Sequence, residues 1–189
     1  PADEYLSGNV REKLRWAKQS AELYPEDYSE NVRALEAVQP VDLMASEISV
    51  RLGATWLPPE TIEEFMFELF STPRYCQWNI HVHYAQYTGE WNVEGKSYDR
   101  SNVKAHNTYG TGRVNGYKIM EETLNLRDVR IFDYIEDGNG RKTAVLNKKE
   151  TAIAQGKQEL IKQAFADWIW SDPERREQLT KLYNEKFNS

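Results

Sequence analysis

The sequence contains one cysteine, Cys76, and this scarcity excludes an internal disulfide and any cysteine-based zinc cluster. No apolar run approaches the ~20 residues that are needed to span a bilayer. Residues 1–4 lack the basic and apolar regions of a signal peptide. These absences favour a reducing compartment, so we predict a soluble, cytoplasmic chain without a membrane partner.

An excess of positive charge is also missing, because the formal net charge of the 189-residue chain is -6 at pH 7. This balance disfavours a protein that wraps nucleic acid by bulk electrostatics, although a local basic patch is compatible with it. Aromatic residues are frequent, with six Trp and eleven Tyr. Aromatic side chains can therefore serve a surface as well as a core.

Apolar spacing predicts helices in the first part of the chain. Residues 1–40 fit two helices separated by Pro25, and Ser29 is the predicted N-cap of the second helix. The alternation of residues 48–52 predicts a short, half-buried strand. Residues 61–70 place their apolar side chains on one helical face.

Two hairpins are predicted in the middle of the chain. Residues 79–86 and 90–94 alternate around a turn that contains Gly89, and residues 129–135 and 142–146 flank a turn with two Asx-Gly pairs. Residues 114–124 have a helical pattern. Residues 148–188 predict a helical pair with Asp172 as N-cap and Pro173 at the first helical position. The fold class that we predict is α+β, with a small antiparallel sheet and segregated helices.

We predict a single α+β module over residues 1–189. It consists of N-terminal helices in residues 1–40, a strand and hairpin core in residues 48–147, and the helical pair in residues 148–189. The chain begins at Pro1 without Met and ends directly after an amphipathic stretch. This favours a segment of a larger protein, and removal of an initiator Met is the alternative explanation of the start.

The glycines of residues 109–116 offer the nearest approach to a phosphate-binding loop. Their spacing, G-x-G-x-x-x-G, matches neither the dinucleotide fingerprint nor the P-loop. A helix N-terminus that contacts a backbone phosphate through Thr111 or Arg113 is a second interpretation. A structural loop is the interpretation that we favour.

No set of reactive side chains converges in the sequence. His81 and His83 share one face of a predicted strand, but His106 lacks a characteristic ligand spacing, so we predict no metal site. Cys76 fits a buried, inert thiol better than a nucleophile. The adjacent acidic pairs at residues 63–64 and 121–122 fit a solvated helix face. We therefore predict no catalytic residues and no cofactor.

Aromatic and basic residues cluster around the first hairpin, where they could stack on bases and hold phosphates. Packing into a sheet core explains the same residue types without a ligand. The cluster comprises Arg74, Tyr75, Trp78, Tyr87, Trp91, Lys96, Tyr98, Arg100 and Lys104. We select Arg74, Tyr75, Trp78, Trp91, Lys96, Arg100 and Lys104, together with Thr111 and Arg113, as candidate nucleic-acid-binding residues.

Trp168 and Trp170 close an apolar helix stripe near the C-terminus. Core packing and a contact with another domain both explain them. We keep the two residues as candidates for domain docking.

Several phrases of the sequence are specific rather than generic. They are DEYLSGNVREKL at residues 3–14, RLGATWLPP at 51–59, TGEW at 88–91, LNKKET at 146–151 and LYNEKFNS at 182–189. Together they resemble a segment of very large proteins of conjugative elements and phages. Those proteins combine an adenine-specific DNA methylase region with a Swi/Snf-type, superfamily II helicase.

The resemblance implies a non-catalytic internal domain of a mobile-element protein. The methylase motif of the N-P-P-Y type and the helicase G-x-G-K-T loop are both absent from this chain. Two roles follow as expectations. The first is an accessory domain that binds DNA, and the second is a structural coupler that docks the flanking methylase and helicase regions through protein contacts.

Overall fold

The computed structural model of the protein describes residues 9–188, except for the side chains of residues 25–27 and 29. The predicted α+β class is confirmed, with two separate two-stranded antiparallel sheets and a C-terminal helical pair. Residues 1–8 of the predicted N-terminal helical region lie outside the described residues, as does Ser189. No helix of the described part combines the length and the apolar character that crossing a bilayer requires.

The elements are as follows. The helices are α1 (Val10–Leu23), α2 (Pro25–Ala37), α3 (Pro59–Phe70), α4 (Arg74–Gln77), α5 (Gly116–Leu124), α6 (Lys148–Trp168) and α7 (Pro173–Phe187). A 3-10 turn spans Ala45–Glu47, and a π-helical turn spans Lys104–Thr108. The strands are β1 (His81–Ala85), β2 (Glu90–Glu94), β3 (Phe132–Glu136) and β4 (Lys142–Leu146).

The chain divides into two compact units, one formed by Pro1–Ser49 with Pro173–Ser189 and the other by Val50–Asp172. In the first unit, α1 packs on α2 around the buried side chains of Val10, Ala17 and Leu35. Helix α7 binds the segment before the 3-10 turn, because the buried amide of Asn184 accepts from the Leu43 N–H and donates to the Leu43 carbonyl.

The core of the second unit lies between helices and the first hairpin. Helix α3 packs on β1, α5 packs on β2, and α6 packs on α5. The large fully buried residues of its centre are apolar or aromatic, and most of them belong to these elements. The fully buried members include Ile62, Phe65, Met66, Phe70, Ile80, Tyr117, Ile119, Met120, Leu124 and Phe165.

Three local predictions are wrong. Residues 48–52 form no strand in the described structure, because their alternation buries Ile48 and Leu52 without a partner strand beside them. Helix α2 begins at Pro25, whose fixed φ suits a first helical turn, so Ser29 lies inside the helix and is not its cap. The second hairpin begins at Phe132, three residues later than expected.

The segment before the second hairpin hydrogen-bonds to α6 instead of to a strand. The Gln158 amide accepts from the Val129 N–H at 3.1 Å and donates to the Arg127 carbonyl at 2.8 Å and to Thr123 Oγ1 at 3.1 Å. Thr151 Oγ1 accepts from the Ile131 N–H at 2.9 Å. Side chains of α6 therefore hydrogen-bond to backbone groups that would otherwise bond to a neighbouring strand. Buried backbone groups need such partners.

Replacing Gln158 by Leu tests this arrangement. The variant keeps a similar volume but leaves the Val129 N–H and the Arg127 carbonyl without their side-chain partners. We expect a loss of about 2–4 kcal/mol in the free energy of unfolding, because unpaired buried polar groups are costly. Urea denaturation measures it. The control is Glu159→Gln at the neighbouring exposed position, where a change within about 0.5 kcal/mol is expected; equal effects in the two variants would contradict the assignment.

A candidate nucleic-acid interface

Two adjacent segments, residues 71–79 and 95–104, carry most of the predicted binding residues. The segments meet at three points. Lys104 Nζ donates to Ser71 Oγ at 2.9 Å, the Cys76 thiol donates to Asp99 at 3.8 Å, and the Gly95 backbone packs against Asn79. Helix α4 and the loop after β2 therefore form one continuous part of the second unit.

Gly95 permits this close approach. It has φ +76°, and a Cβ atom at this position would lie 1.9 Å from the Asn79 carbonyl oxygen. A larger residue would have to push the loop away from helix α4. The close approach of the loop to the residues after α4 therefore requires glycine at position 95.

Exposed aromatic rings mark this region. The side chain of Trp78 is 81% exposed and that of Tyr75 is 75% exposed, although both belong to or adjoin helix α4. Tyr98 on the second segment is also exposed. Exposure of aromatic rings to water is unfavourable, and rings that are exposed in this way are available to stack on a planar ligand.

The cations beside these rings are not neutralised. Among the described residues, Arg74 has no hydrogen-bond partner, Arg100 donates only to the Ser97 carbonyl, and Lys104 donates only to a hydroxyl. None of the three forms an ion pair with the part of the chain that is described. We define the aromatic–basic surface as Arg74, Tyr75, Trp78, Tyr98, Arg100 and Lys104.

A buried polar network supports the surface from below. The Asp99 carboxylate accepts from the Tyr117 hydroxyl at 2.7 Å and from the Asn102 amide at 2.6 Å. Tyr117 is also hydrogen-bonded to Thr72 at 2.7 Å. Burial raises the pKa of the Tyr117 hydroxyl above its usual value, so the group stays a donor. The network ties α5 to both segments that carry the aromatic–basic surface.

Cys76 is buried beside Asp99, as predicted for an inert thiol. Burial raises the pKa of the Cys76 thiol, and the neighbouring Asp99 charge raises it further. A thiol in this setting is mostly protonated at neutral pH.

Two predicted binding residues do not belong to the surface. Trp91 is only 3% exposed and packs against Tyr84 in a tilted contact with 4.8 Å between the ring centroids, so it is a core residue and cannot stack on a base. Lys96 donates to Glu121 at 2.6 Å and to the Val93 carbonyl at 2.7 Å. The charge of Lys96 is therefore neutralised by Glu121 within the protein.

The prediction that the acidic pair at residues 121–122 is solvated is wrong for Glu121. The carboxylate is buried and accepts from the Val93 N–H, Lys96 and Lys118 at 2.9, 2.6 and 3.0 Å. Burial alone would raise the pKa of Glu121, but the hydrogen bonds from Lys96, Val93 and Lys118 outweigh burial and lower it. Glu63 is likewise engaged, since it accepts from the Val82 N–H at 3.0 Å.

Thr111 and Arg113 lie in a turn with internal partners. Thr111 Oγ1 accepts from the N–H groups of Arg113 and Val114. The Arg113 guanidinium donates to Asp133 at 2.7 Å and to the Phe132 carbonyl at 2.9 Å. The hydrogen bond from Arg113 lowers the pKa of the Asp133 carboxyl. Thr111 and Arg113, which we predicted as phosphate contacts, therefore bind other groups of the protein instead.

The three histidines have different polar partners, although the rings of His81 and His83 lie 6.2 Å apart between their centroids. His83 lies 2.9 Å from Glu94, His81 contacts Glu63 and the Trp78 carbonyl, and His106 contacts the Asp99 carbonyl. The hydrogen bond from His83 lowers the pKa of Glu94. Within residues 9–188 no group of three or more His, Cys, Asp or Glu side chains has a geometry that could hold a metal ion.

Trp168 is engaged inside the second unit. Its indole N–H donates to Glu68 at 2.8 Å, and its ring lies 5.3 Å from that of Phe65. Trp170 is half-buried. A substitution at Trp168 would therefore disturb the packing of α6 on α3 before it reported on any docking partner.

The residues that position the surface were not among the candidates from the sequence. Gly95 and Asp99 are four residues apart and Tyr117 follows Asp99 by 18 residues, but no motif joins the three. Only the glycine directly after β2 had a sequence signal, because a glycine at a strand end is typical of a positive φ.

Comparison with known proteins gives one match. Residues 51–189 match a family that is described as Domain of unknown function (DUF8437). The aromatic–basic surface and both hairpins lie inside the matched range, whereas α1 and α2 precede it. No curated protein and no solved structure matches the chain.

Gly95→Ala tests the contact between the two segments. We expect a loss of at least about 2 kcal/mol in the free energy of unfolding, because the new Cβ would collide with the Asn79 carbonyl at a strained φ. The matched control is Gly112→Ala, where a Cβ would meet nothing within 4 Å. Thermal and urea unfolding of both variants measure the difference, and a neutral Gly95 variant would refute the close approach.

Glu121→Gln tests the buried carboxylate. At pH 7 we expect a loss of about 1–3 kcal/mol, since Lys96 loses its anionic partner and Lys118 keeps only Glu122. The pKa of Glu121 in the folded protein is lower than its ordinary value of 4.5. The carboxylate therefore stabilises the fold at pH values above 4.5, and this stabilisation is lost as the pH falls through the pKa of the folded state.

The gap between wild type and Glu121→Gln should therefore narrow in urea titrations below pH 4.5. Glu122→Gln on the same helix turn is the control. Its carboxylate pairs with Lys118 and Arg127, whose side chains are about half exposed, and we expect less than about 1 kcal/mol there. A pH-independent gap for Glu121→Gln would show that its charge is not responsible.

Proposed function

The chain belongs to the family described as Domain of unknown function (DUF8437), and we propose that it binds DNA through its aromatic–basic surface. The observation that carries this proposal is the pairing of exposed rings with unpaired cations. Tyr75 and Trp78 lie on the same short segment as Arg74. Proteins that bind single strands combine basic side chains along the backbone path with rings on which bases stack.

The local charge supports this role despite the acidic chain. The two segments that carry the surface contain one acidic residue, Asp99, and four basic residues, of which Lys96 is paired with Glu121 and Arg74, Arg100 and Lys104 form no ion pair among the described residues. Asp99 is buried, and its carboxylate accepts from Tyr117 and Asn102. A phosphate backbone that approached this side of the second unit would meet cations rather than the average charge of -6.

Exposed rings favour unpaired over paired strands as the ligand. Bases within a duplex already stack on each other and do not offer a free face, whereas the bases of a single strand do. We therefore propose single-stranded DNA as the preferred form. Trp78 and Tyr75 are the proposed stacking residues, and Arg74, Arg100 and Lys104 are the proposed phosphate contacts.

The cellular setting that we propose comes from the sequence resemblance alone. It is an internal accessory domain, without a chemical step of its own, in a large protein of a mobile element that combines a DNA methylase region with a helicase. A single-strand contact suits such a protein, because a helicase exposes unpaired bases. The match to residues 51–189 neither requires nor opposes this setting.

A structural coupler between the methylase and helicase regions is the alternative proposal. Trp168 and Trp170 are its docking candidates. The bond from Trp168 to Glu68 weakens the case for Trp168, because this indole is already satisfied within the second unit.

Fluorescence anisotropy with a labelled 20-nucleotide strand and the matching duplex tests the DNA proposal. We expect tighter binding of the single strand and a steep loss of affinity as salt rises, because each phosphate contact releases counterions. Trp78→Ala and Tyr75→Ala should each weaken binding by about ten-fold, the scale of one lost base stack. Arg74→Ala and Lys104→Ala should each reduce the salt slope by about one.

Matched controls come from the first unit. Tyr24→Ala removes a comparably exposed ring, and Lys181→Ala removes an exposed cation. Both variants should bind like wild type. No binding at low salt, or an equal loss in the control variants, would remove the proposal; association of the chain with the flanking regions in the absence of DNA binding would support the coupler instead.

A further inference from the structure

A cavity in the second unit shares no residue with the aromatic–basic surface. Its volume is about 380 Å³, and it lies between residues 50–52, the loop after α5 and the last turns of α6. Every residue that lines it belongs to the second unit. Ligand pockets of proteins have volumes from about 300 Å³ upward. The cavity is therefore large enough to hold a small molecule.

The interior of the cavity is apolar. It is lined by the buried side chains of Leu52 and Phe165 and by the side chain of Leu126. The hydroxyl of Thr123, which also lines it, is already bonded to the backbone of α5 and to Gln158. An engineered cavity of about 150 Å³ that is lined by similar residues binds benzene. The present cavity thus suits an apolar body of about two fused rings.

Leu126 has an unusual backbone conformation at the edge of this cavity. Helix α5 ends in a Schellman motif, because the Leu126 N–H donates to the Thr123 carbonyl at 3.0 Å and the Arg127 N–H donates to the Glu122 carbonyl at 2.9 Å. The motif gives Leu126 a φ of +59°, which favours glycine or asparagine. The leucine side chain is nevertheless 58% exposed. Strained residues of this kind are concentrated at ligand sites.

Three exposed cations, Arg51, Arg127 and Lys162, also line the cavity. The Arg51 guanidinium forms no ion pair with any described residue. Arg127 uses its Nε for Glu122 at 3.2 Å, so both Nη groups lack a partner in the described part of the chain. Lys162 pairs with Glu159 at 3.2 Å, but both side chains are exposed, and such a pair is weak. The three cations are therefore available to a ligand.

We propose that this cavity binds a small aromatic anion. A body of about two fused rings fills the apolar interior, and a carboxylate lies among the three cations. Charge complementarity selects an anion, because only one carboxylate, that of Asp128, lines the cavity. The two free Nη groups of Arg127 suit a carboxylate, which a guanidinium binds through two parallel hydrogen bonds. Occupancy of this site does not depend on the proposed binding of DNA.

A titration of the isotope-labelled chain with 2-naphthoate, followed in the amide NMR spectrum, tests the proposal. We expect chemical-shift changes at residues 50–52, 126–128 and 162–166. The amide 2-naphthamide has the same shape without the charge, so it should bind at least about five-fold more weakly, because charge-assisted hydrogen bonds are the stronger ones. Equal affinities, shifts confined to other residues, or no shifts with either compound would overturn the proposal.

Charge variants give a second readout. Arg51→Gln should weaken the binding of naphthoate about three-fold, the scale of an exposed ion pair. Asp128→Asn should strengthen it by a similar factor, because a like charge is removed. The control is Arg130→Gln, which removes an exposed cation of the same unit that does not line the cavity. Equal effects at Arg51 and Arg130, or weaker binding by Asp128→Asn, would contradict an anion site.

Two further variants test the apolar interior. Leu126→Asn keeps a residue that tolerates a positive φ, but it should weaken the binding of both compounds about five-fold or more through loss of apolar contact. Ala166→Trp should prevent binding, because Ala166 is exposed on α6 and lines the cavity. The control is Gln163→Trp, an exposed position of the same helix outside the cavity.

Thermal unfolding checks that each variant is folded. Unchanged affinity of folded Ala166→Trp, or an equal loss in Gln163→Trp, would place the ligand elsewhere and overturn the proposal.

Discussion

The second unit depends on helix side chains that satisfy the backbone of short strands. A two-stranded sheet leaves its outer N–H and carbonyl groups unpaired, and burial makes each unpaired group costly. Glu63, Glu121 and Asn125 provide these partners for the first hairpin. The same device recurs where Thr151 and Gln158 bind the segment before the second hairpin. Helices α3, α5 and α6 are thereby fixed to the strands by directional bonds as well as by apolar packing.

This arrangement also positions the aromatic–basic surface. Helix α5 contributes Glu121 to β2 and Tyr117 to the network around Asp99. The network in turn holds the segment after β2 against helix α4. The exposed rings of Tyr75 and Trp78 therefore stand on a rigid base rather than on a free loop. A ligand that stacked on them would pay little conformational entropy for ordering the site.

The two hairpins illustrate different uses of the same local motif. In the first, side chains of other elements bind outward backbone groups of Val82, Trp91 and Val93, and Trp91 and Val93 contribute to the core. The second has exposed apolar side chains on both faces, and the outward backbone groups of Tyr134 and Ala144 have no hydrogen bond among the described residues. Its anchoring by Arg113 to Asp133 and by Asn147 to Ile131 is confined to the base. The first hairpin therefore contributes to the core of the unit, whereas the second lies at its surface.

The sequence by itself determined the α+β class, the two hairpins and helices α3, α5, α6 and α7. These features follow from local periodicity, turn residues and caps, which act over a few neighbouring positions. Only the tertiary structure decided that Trp91 is buried, that Lys96 and Glu121 are partners, and that residues 48–52 form no strand. The physical reason is that burial and pairing depend on groups distant in the chain: Gly95 meets Asn79, and Asp99 meets Tyr117, only when the helices have packed.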